Sequence, residues 1–198
     1  MKDIMNRDPL INFIQSNLSA PRDTIINIAH QFEEREYCKN DFFLKAGKVS
    51  NDYLFLVEGF MRAYTIDTEG NEVSTYFYPK NRVVLEVTSF FMRTASMESI
   101  QALSDCKAFH LTFDQLNNLF HTLPEFREFG RKILVKEFSA YKQRTLSLIN
   151  KTAEERYTEL IATNPEIFKY AQLKQIASYL GITDTSLSRI RREFSKKD

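Results

Sequence analysis

The residues with the most specific spacing for chemistry lie between Leu173 and Arg192. Leu173, Ile176, Ala177 and Leu180 fall on one face of a predicted helix spanning Gln172 to Leu180. Ala177 is small, so a second helix can cross it closely. Gly181 permits the left-handed turn that ends the first helix, and Ile182 fills the corner. Thr183 is placed to accept a bond from a free backbone N–H of the next helix, with Asp184 as the alternative cap. That helix is predicted from Asp184 to Phe194. Leu187 and Ile190 point inward at i and i+3, leaving Thr185, Ser186, Ser188, Arg189 and Arg192 on the open face. Short hydroxyls near a helix start reach base edges or phosphates, and Arg189 can make a bidentate bond to a guanine edge. Arg191, Arg192, Lys196 and Lys197 suit phosphate, which supplies affinity but no sequence information. A plain structural corner also has a helix–glycine–helix pattern. Here the small residue, glycine, plug, cap and basic outer face coincide, and double-stranded DNA is the expected partner.

Such a device needs a body to carry it. The chain has 198 residues, 43% hydrophobic and 27% charged, with a formal net charge of +1. That length fits one large domain or two small ones. No apolar run approaches the roughly 20 residues that span a bilayer, so no membrane is expected as partner. Met1 to Asp8 lacks the apolar core of a secretory signal, and the cytoplasm is the expected compartment. Cys38 and Cys106 lie far apart, which indicates neither a disulfide scaffold nor a zinc site. The neutral total conceals an asymmetry. Residues 1–126 carry 12 Lys+Arg against 17 Asp+Glu, and residues 127–198 carry 15 against 9. A basic second part is suited to a polyanion, although Lys/Arg-rich helical surfaces are also common.

The elements change character near residue 112. Before it, Gly47, Gly59 and Gly70 separate runs rich in aromatic and β-branched residues: Tyr53 to Val57, Phe60 to Ile66 and Val73 to Tyr78. Short β-type runs with regular turn signals predict an antiparallel barrel or sandwich. Asp67 to Asn71 reads as a hairpin turn, and a further strand pair is expected near Ser99–Leu103 and Lys107–Leu111. The opening, Pro9 to Glu36, reads as helical. After Thr112 the period becomes helical: Phe113 to His121, a long helix from Pro124 to about Asn150, and Ala153 to Ala162. In the long helix Leu134, Phe138, Tyr141, Thr145 and Leu148 recur at steps of 4, 3, 4 and 3, a heptad seam. Packing against its own domain is one use of such a seam. A helix this long favours the other, a symmetric homodimer with two such helices side by side.

Taken whole, the sequence resembles a transcription regulator of the Crp/Fnr type, the cyclic-AMP receptor protein family. The resemblance rests on Ala153-Glu154-Glu155-Arg156-Tyr157 leading to Ile176 through Thr183 and Leu187 through Arg192, and more loosely on Gly47, Val57-Glu58-Gly59 and Asp67 to Glu72. It implies an α+β chain in three parts. Residues 1–123 would form a cyclic-nucleotide-binding-type β-roll (a double-stranded β-helix or jelly roll), 124–151 a long dimerisation helix, and 152–198 a helix-turn-helix DNA-binding domain. It places the base-reading positions on Asp184, Thr185 and Arg189, with Ser186 and Ser188 near the backbone. Asp184 stands where a basic residue is common, so a different operator is expected. RNA polymerase is a further implied partner. The chain ends four residues after Phe194, so the wing hairpin that often follows the recognition helix is expected to be missing.

The resemblance fails at the nucleotide pocket. Family members that bind a cyclic nucleotide use a Gly-Glu pair and, about ten residues on, Arg followed by Ser or Thr. Here Glu86 can stand for the glutamate, but Leu85 replaces the glycine, Ser96 falls in the arginine's place, and Arg93 lies three residues early. Glu86, Arg93, Thr94 and Ser96 are the candidate effector pocket. No cofactor is assigned: cyclic nucleotide in the usual mode is disfavoured, an iron–sulfur cluster needs about four cysteines, and His30, His110 and His121 are isolated. The β-roll is expected either to sense an unidentified small molecule or to act as scaffold. The competing reading is a cyclic-nucleotide-binding signalling module whose helix-turn-helix contacts protein. No catalytic triad, metal-ligand spacing or phosphate-binding glycine loop stands out, and an enzyme is not expected.

Overall fold

The structure, a computed structural model, describes residues 5–195. Two helices open the chain, α1 (Asp8–Asn17) and α2 (Arg22–His30), separated at Pro21. Eight strands follow: β1 (Glu33–Tyr37), β2 (Phe42–Leu44), β3 (Asp52–Glu58), β4 (Met61–Ile66), β5 (Glu72–Tyr78), β6 (Arg82–Val84), β7 (Ser99–Ala102) and β8 (Cys106–Thr112). A short helix, α3 (Val87–Met92), interrupts them before β7. The strands form two antiparallel four-stranded sheets in the orders β1-β8-β3-β6 and β2-β7-β4-β5. The remainder is helical: α4 (Phe113–Thr122), α5 (Pro124–Asn150), α6 (Ala153–Thr163), α7 (Ile167–Tyr170), α8 (Leu173–Leu180) and α9 (Asp184–Phe194).

The unbroken apolar run of β3 is explained by burial on both faces. Leu54 and Leu56 join Met61, Ala63, Ile100 and Ala108 in the core between the sheets. Their alternates Tyr53 and Phe55 join Leu10, Ile14, Ile28, Phe109 and Phe126, beneath α1, α2 and α5. Phe55 is fully buried, and emptying such a site costs about 3–5 kcal/mol. Thr112 with Gln115 and Thr152 with Glu155 form capping boxes at the starts of α4 and α6, so the sequence marks both helix beginnings locally.

Two expectations are corrected. The opening is not helical to Glu36, because the apolar spacing ends at Phe32. Glu33-Glu34-Arg35-Glu36 pairs instead with β8, from Glu33↔His110 to Glu36↔Lys107, as a charged edge strand. Nor do the strands after Ser99 pair with each other: β7 lies against β2 and β4, and β8 against β1 and β3. The chain changes sheets between them, as it also does between β3 and β4. The two crossovers meet at Gly59, at φ +95°, where a Cβ would run into the Asp105 carbonyl and Cys106. Only glycine allows that approach. Strands β2 and β6 and helices α3 and α7 are too short for their periodicity to declare them.

Candidate DNA interface

Helix α8 buries Ile176, Ala177 and Leu180 and ends at Gly181, whose φ of +67° and ψ of +35° are left-handed. The Ile182 N–H bonds the Ala177 carbonyl at 3.0 Å, which closes the helix end. Thr183 caps α9 by accepting from the Ser186 N–H at 3.3 Å. Its hydroxyl also lies 2.9 Å from that of Thr185 and donates to that of Ser186 at 3.0 Å. Leu187 and Ile190 are buried against α8 and α6. Thr183, Asp184, Thr185, Ser188, Arg189, Arg191 and Arg192 are exposed, and Ser186 is half-buried. All eight expected interface residues thus lie on or at the start of one helix, with the two apolar positions turned away. Lys196 and Lys197 lie outside the described residues.

The helix pair is fastened to the β-sheet beneath it. Ser74 of β5 donates its hydroxyl to the Gln175 carbonyl at 2.8 Å, and its N–H donates to the Ser178 hydroxyl at 3.1 Å. Beneath Ser74 the Arg62 guanidinium, 1% exposed, donates through Nε at 2.8 Å and reaches Glu72 at 2.6 Å. Apolar packing flanks this polar centre: Phe60 stacks on Tyr170 at 5.0 Å, and Phe77 meets Tyr179 edge-on at 5.2 Å. From the other side Arg144 of α5 lies over the Tyr179 ring at 3.7 Å and donates to its carbonyl at 2.9 Å. Arg156 of α6 donates to the Leu180 carbonyl at 3.0 Å. Two cations therefore hold the last carbonyls of α8, where the helix dipole is negative. Arg62 and Ser74 belong to no motif in the sequence, and the role of Ser178 toward them emerges only once β5 and α8 are adjacent.

Each expected effector residue is engaged in hydrogen bonds of its own. Glu86 caps α3, accepting from the N–H groups of Thr88 and Ser89. Arg93 ends α3 at φ +56°, lies over the Phe113 ring at 4.1 Å and donates to the Ser50 carbonyl at 2.8 Å. The Thr94 carbonyl accepts from the Ser89 hydroxyl, and Ser96 is buried with its hydroxyl on Glu98. Beside them Tyr76 packs on Tyr78 at 4.7 Å and on Tyr141 of α5 at 5.4 Å, with its hydroxyl 3.2 Å from Glu137. Burial pushes the Tyr141 phenol up to about 12, with Glu98 and Glu137 adding to the shift. Burial likewise holds the Glu98 carboxyl above its ordinary range.

Along α5 the five seam positions remain partly or wholly uncovered by their own chain. Phe138 is 71% exposed, while Leu134, Tyr141 and Leu148 are about half that. Thr145 is exposed and donates its hydroxyl back to the Tyr141 carbonyl. Val135 and Ile149, the latter 76% exposed, widen the stripe and were outside the heptad reading.

Residues 34–122 match the cyclic nucleotide-binding domain family. The chain is 24% identical over 172 residues to the fumarate and nitrate reduction regulatory protein of Yersinia pestis, covering 81% of this chain and 68% of that one. It is 23% identical over 170 residues to the transcriptional activator protein Anr of Pseudomonas aeruginosa, covering 80% and 68%. Residues 34–122 thus form a cyclic nucleotide-binding-type domain, and the chain is similar to these regulators over about four fifths of its length. Among solved structures it superposes on FixK2 from Bradyrhizobium japonicum with a TM-score of 0.72, at 18% identity over 84% of this chain and 85% of that one. A mutant CooA from Carboxydothermus hydrogenoformans gives 0.66, at 17% identity over 98% and 85%. The Crp/Fnr likeness accounts for the sandwich, the long helix and the helix-turn-helix in that order. No helix among the described residues is long and apolar enough to cross a membrane.

Proposed function

We propose that two copies of this chain pair along α5 and present their α9 helices to successive major grooves of double-stranded DNA, about 34 Å apart. The observation that carries the reading is the split character of α9. Leu187 and Ile190 anchor it, while Thr185, Ser188, Arg189 and Arg192 face outward with no apolar residue between them. Arg189 reads a base edge, and Arg191 and Arg192 meet phosphate. Thr183 and Ser186, whose hydroxyls already hold the helix start, position it against the backbone. The protein acts in the cytoplasm as a transcription regulator, and RNA polymerase is its downstream partner.

In this reading the β-roll works without a cyclic nucleotide bound in the usual way. Tyr76, Tyr78 and Tyr141 pack on one another, and the carboxylates of Glu98 and Glu137 lie beside them. A cyclic phosphate needs cationic or N–H donors, whereas the Arg93 guanidinium is turned to Ser50 and Asn51.

Selection of bound fragments from a random-sequence DNA pool, followed by anisotropy titrations, tests the proposal. A pseudo-palindromic site is expected, with affinity falling steeply with salt. Arg189→Ala is expected to relax preference at one base position in each half-site by about 1–3 kcal/mol. Equal loss on every sequence overturns base reading by Arg189. Calorimetric titration with cyclic AMP is expected to show no binding. Micromolar binding abolished by Arg93→Ala would instead support the signalling-module reading.

A further inference from the structure

We propose that the cleft enclosed by α5, α6 and α8 is a binding site for a small dianion bearing carboxylate or phosphate groups. The cleft measures about 530 Å³, within the range that holds metabolite-sized ligands. Its wall includes Ala140, Arg144, Ser147, Lys151, Arg156 and Tyr179. Three cations thus face it, against a single carboxylate, Glu159, which is already paired with Lys151 at 2.8 Å.

The two guanidiniums are the decisive groups. Arg144 has one N–H bonded, to the Tyr179 carbonyl, and Arg156 has two, to the carbonyls of Leu180 and Lys151. Each guanidinium carries five donors, so both retain N–H groups with no acceptor among the described residues. Neither pairs with a carboxylate among the described residues. Burial holds Arg144 below its ordinary range, and the neighbouring Arg156 charge adds to that. Two cations crowded at a half-buried junction without a counter-ion are stabilised by an anion, and the planar guanidinium fork matches carboxylate or phosphate oxygens in pairs.

The cleft meets the α5 seam at Leu148, which lines it, and shares no other residue with the surfaces already assigned. Along α5 and its C-terminal cap it uses Ala140, Arg144, Ser147 and Lys151, at steps of 4, 3 and 4, a different row from Leu134, Phe138, Tyr141 and Thr145. The outward residues of α9 do not line it. An anion here would touch α5, α6 and the end of α8 together, and so would bear on how the helix-turn-helix is held. The site itself does not depend on DNA being the partner.

Isothermal titration of the full chain with succinate and with inorganic pyrophosphate, at matched ionic strength, tests the proposal. One saturable site per protomer is expected with at least one probe, and which probe binds identifies the carboxylate or phosphate source. Ala140→Trp, which occupies the cleft without removing a charge, is expected to abolish binding. Ser147→Phe serves the same purpose if the tryptophan variant does not fold. Lys151→Gln is expected to weaken binding about tenfold, the loss of one charge-assisted contact. Arg189→Ala is expected to leave it unchanged. The inference is overturned if neither probe saturates, if binding survives the filled cleft, or if Arg189→Ala abolishes it, which would place the anion on the recognition helix. DNA affinity measured without either probe reports separately on the DNA reading.

Discussion

Replacing Ser74 with alanine removes one oxygen from the joint between the β-sheet and the helix-turn-helix, and its consequences can be followed atom by atom. The Gln175 carbonyl loses a donor but keeps the Ser178 hydroxyl at 2.9 Å, so it stays satisfied. The Ser74 N–H keeps its bond to the Ser178 hydroxyl, which loses only its 3.0 Å contact with the Ser74 oxygen. Arg62 Nε is different: its acceptor disappears, and the guanidinium around it is 1% exposed, so water cannot readily replace it. An orphaned buried donor costs about 1–3 kcal/mol, more when charged, and the lost bond to Gln175 adds up to about 1. The sum, about 3 kcal/mol, corresponds to a fall in Tm of about 6–12 °C for a chain of this size. Scanning calorimetry measures the shift, and hydrogen exchange locates it, with α8 and α9 expected to lose protection before the sheets. A shift under about 2 °C, or loss of protection confined to β4 and β5, would refute the view that Ser74 joins the two regions through Arg62.

Phe138→Glu places a charge in the middle of the exposed α5 stripe and is expected to give monomers by light scattering; an unchanged dimer mass would remove that stripe from the interface. Glu98 has its folded-state carboxyl raised above the unfolded value by burial. The folded state therefore binds the extra proton, and Glu98's favourable contribution is full at acid pH and lost as pH rises through its folded pKa. Glu98→Gln is accordingly expected to raise Tm at neutral pH and flatten its pH dependence, whereas a lower Tm at pH 7 would contradict this. Gly181→Ala forces a Cβ into a φ of +67° and to within 3.3 Å of Leu148 Cδ2, and is expected to cost about 1–2 kcal/mol in urea denaturation.

The helix-turn-helix was legible because its signals are local. Thr183, Gly181, Leu187 and Ile190 specify cap, turn and anchor within a dozen residues, and the observed α9 has the expected limits, Asp184–Phe194. The long helix was equally open to reading, since Pro124 starts it and no later proline breaks it. The strand pairing after Ser99 was not legible, because which sheet a strand joins depends on Gly59 meeting Asp105, a contact between positions 46 residues apart. The edge strand Glu33–Tyr37 was hidden for a related reason: four charged residues have no apolar face to reveal a period of two. Most of the joint beneath α8 was beyond sequence reading altogether. A buried arginine answered by a serine 12 residues away and a second serine 104 residues further on leaves no pattern in a linear string.

These contacts also define a packed route between the sheet and α8. Tyr78 packs on Tyr76, Tyr76 on Tyr141, and Arg144, one turn further along α5, lies over Tyr179 of α8. Continuity alone does not establish coupling, since adjacent side chains can respond independently. Coupling requires that disturbing one end change what the other end contributes. Tyr76→Leu removes the ring between Tyr78 and Tyr141, and Arg144→Gln removes the cation over Tyr179. If α5 transmits the state of the sheet, the two changes together should alter DNA affinity by at least about 0.5 kcal/mol more or less than their separate effects, the threshold for residues that share partners. Strict additivity would mean that the sheet and the α8–α9 pair are merely attached, and that the Ser74 joint holds a fixed geometry rather than one the tyrosines adjust.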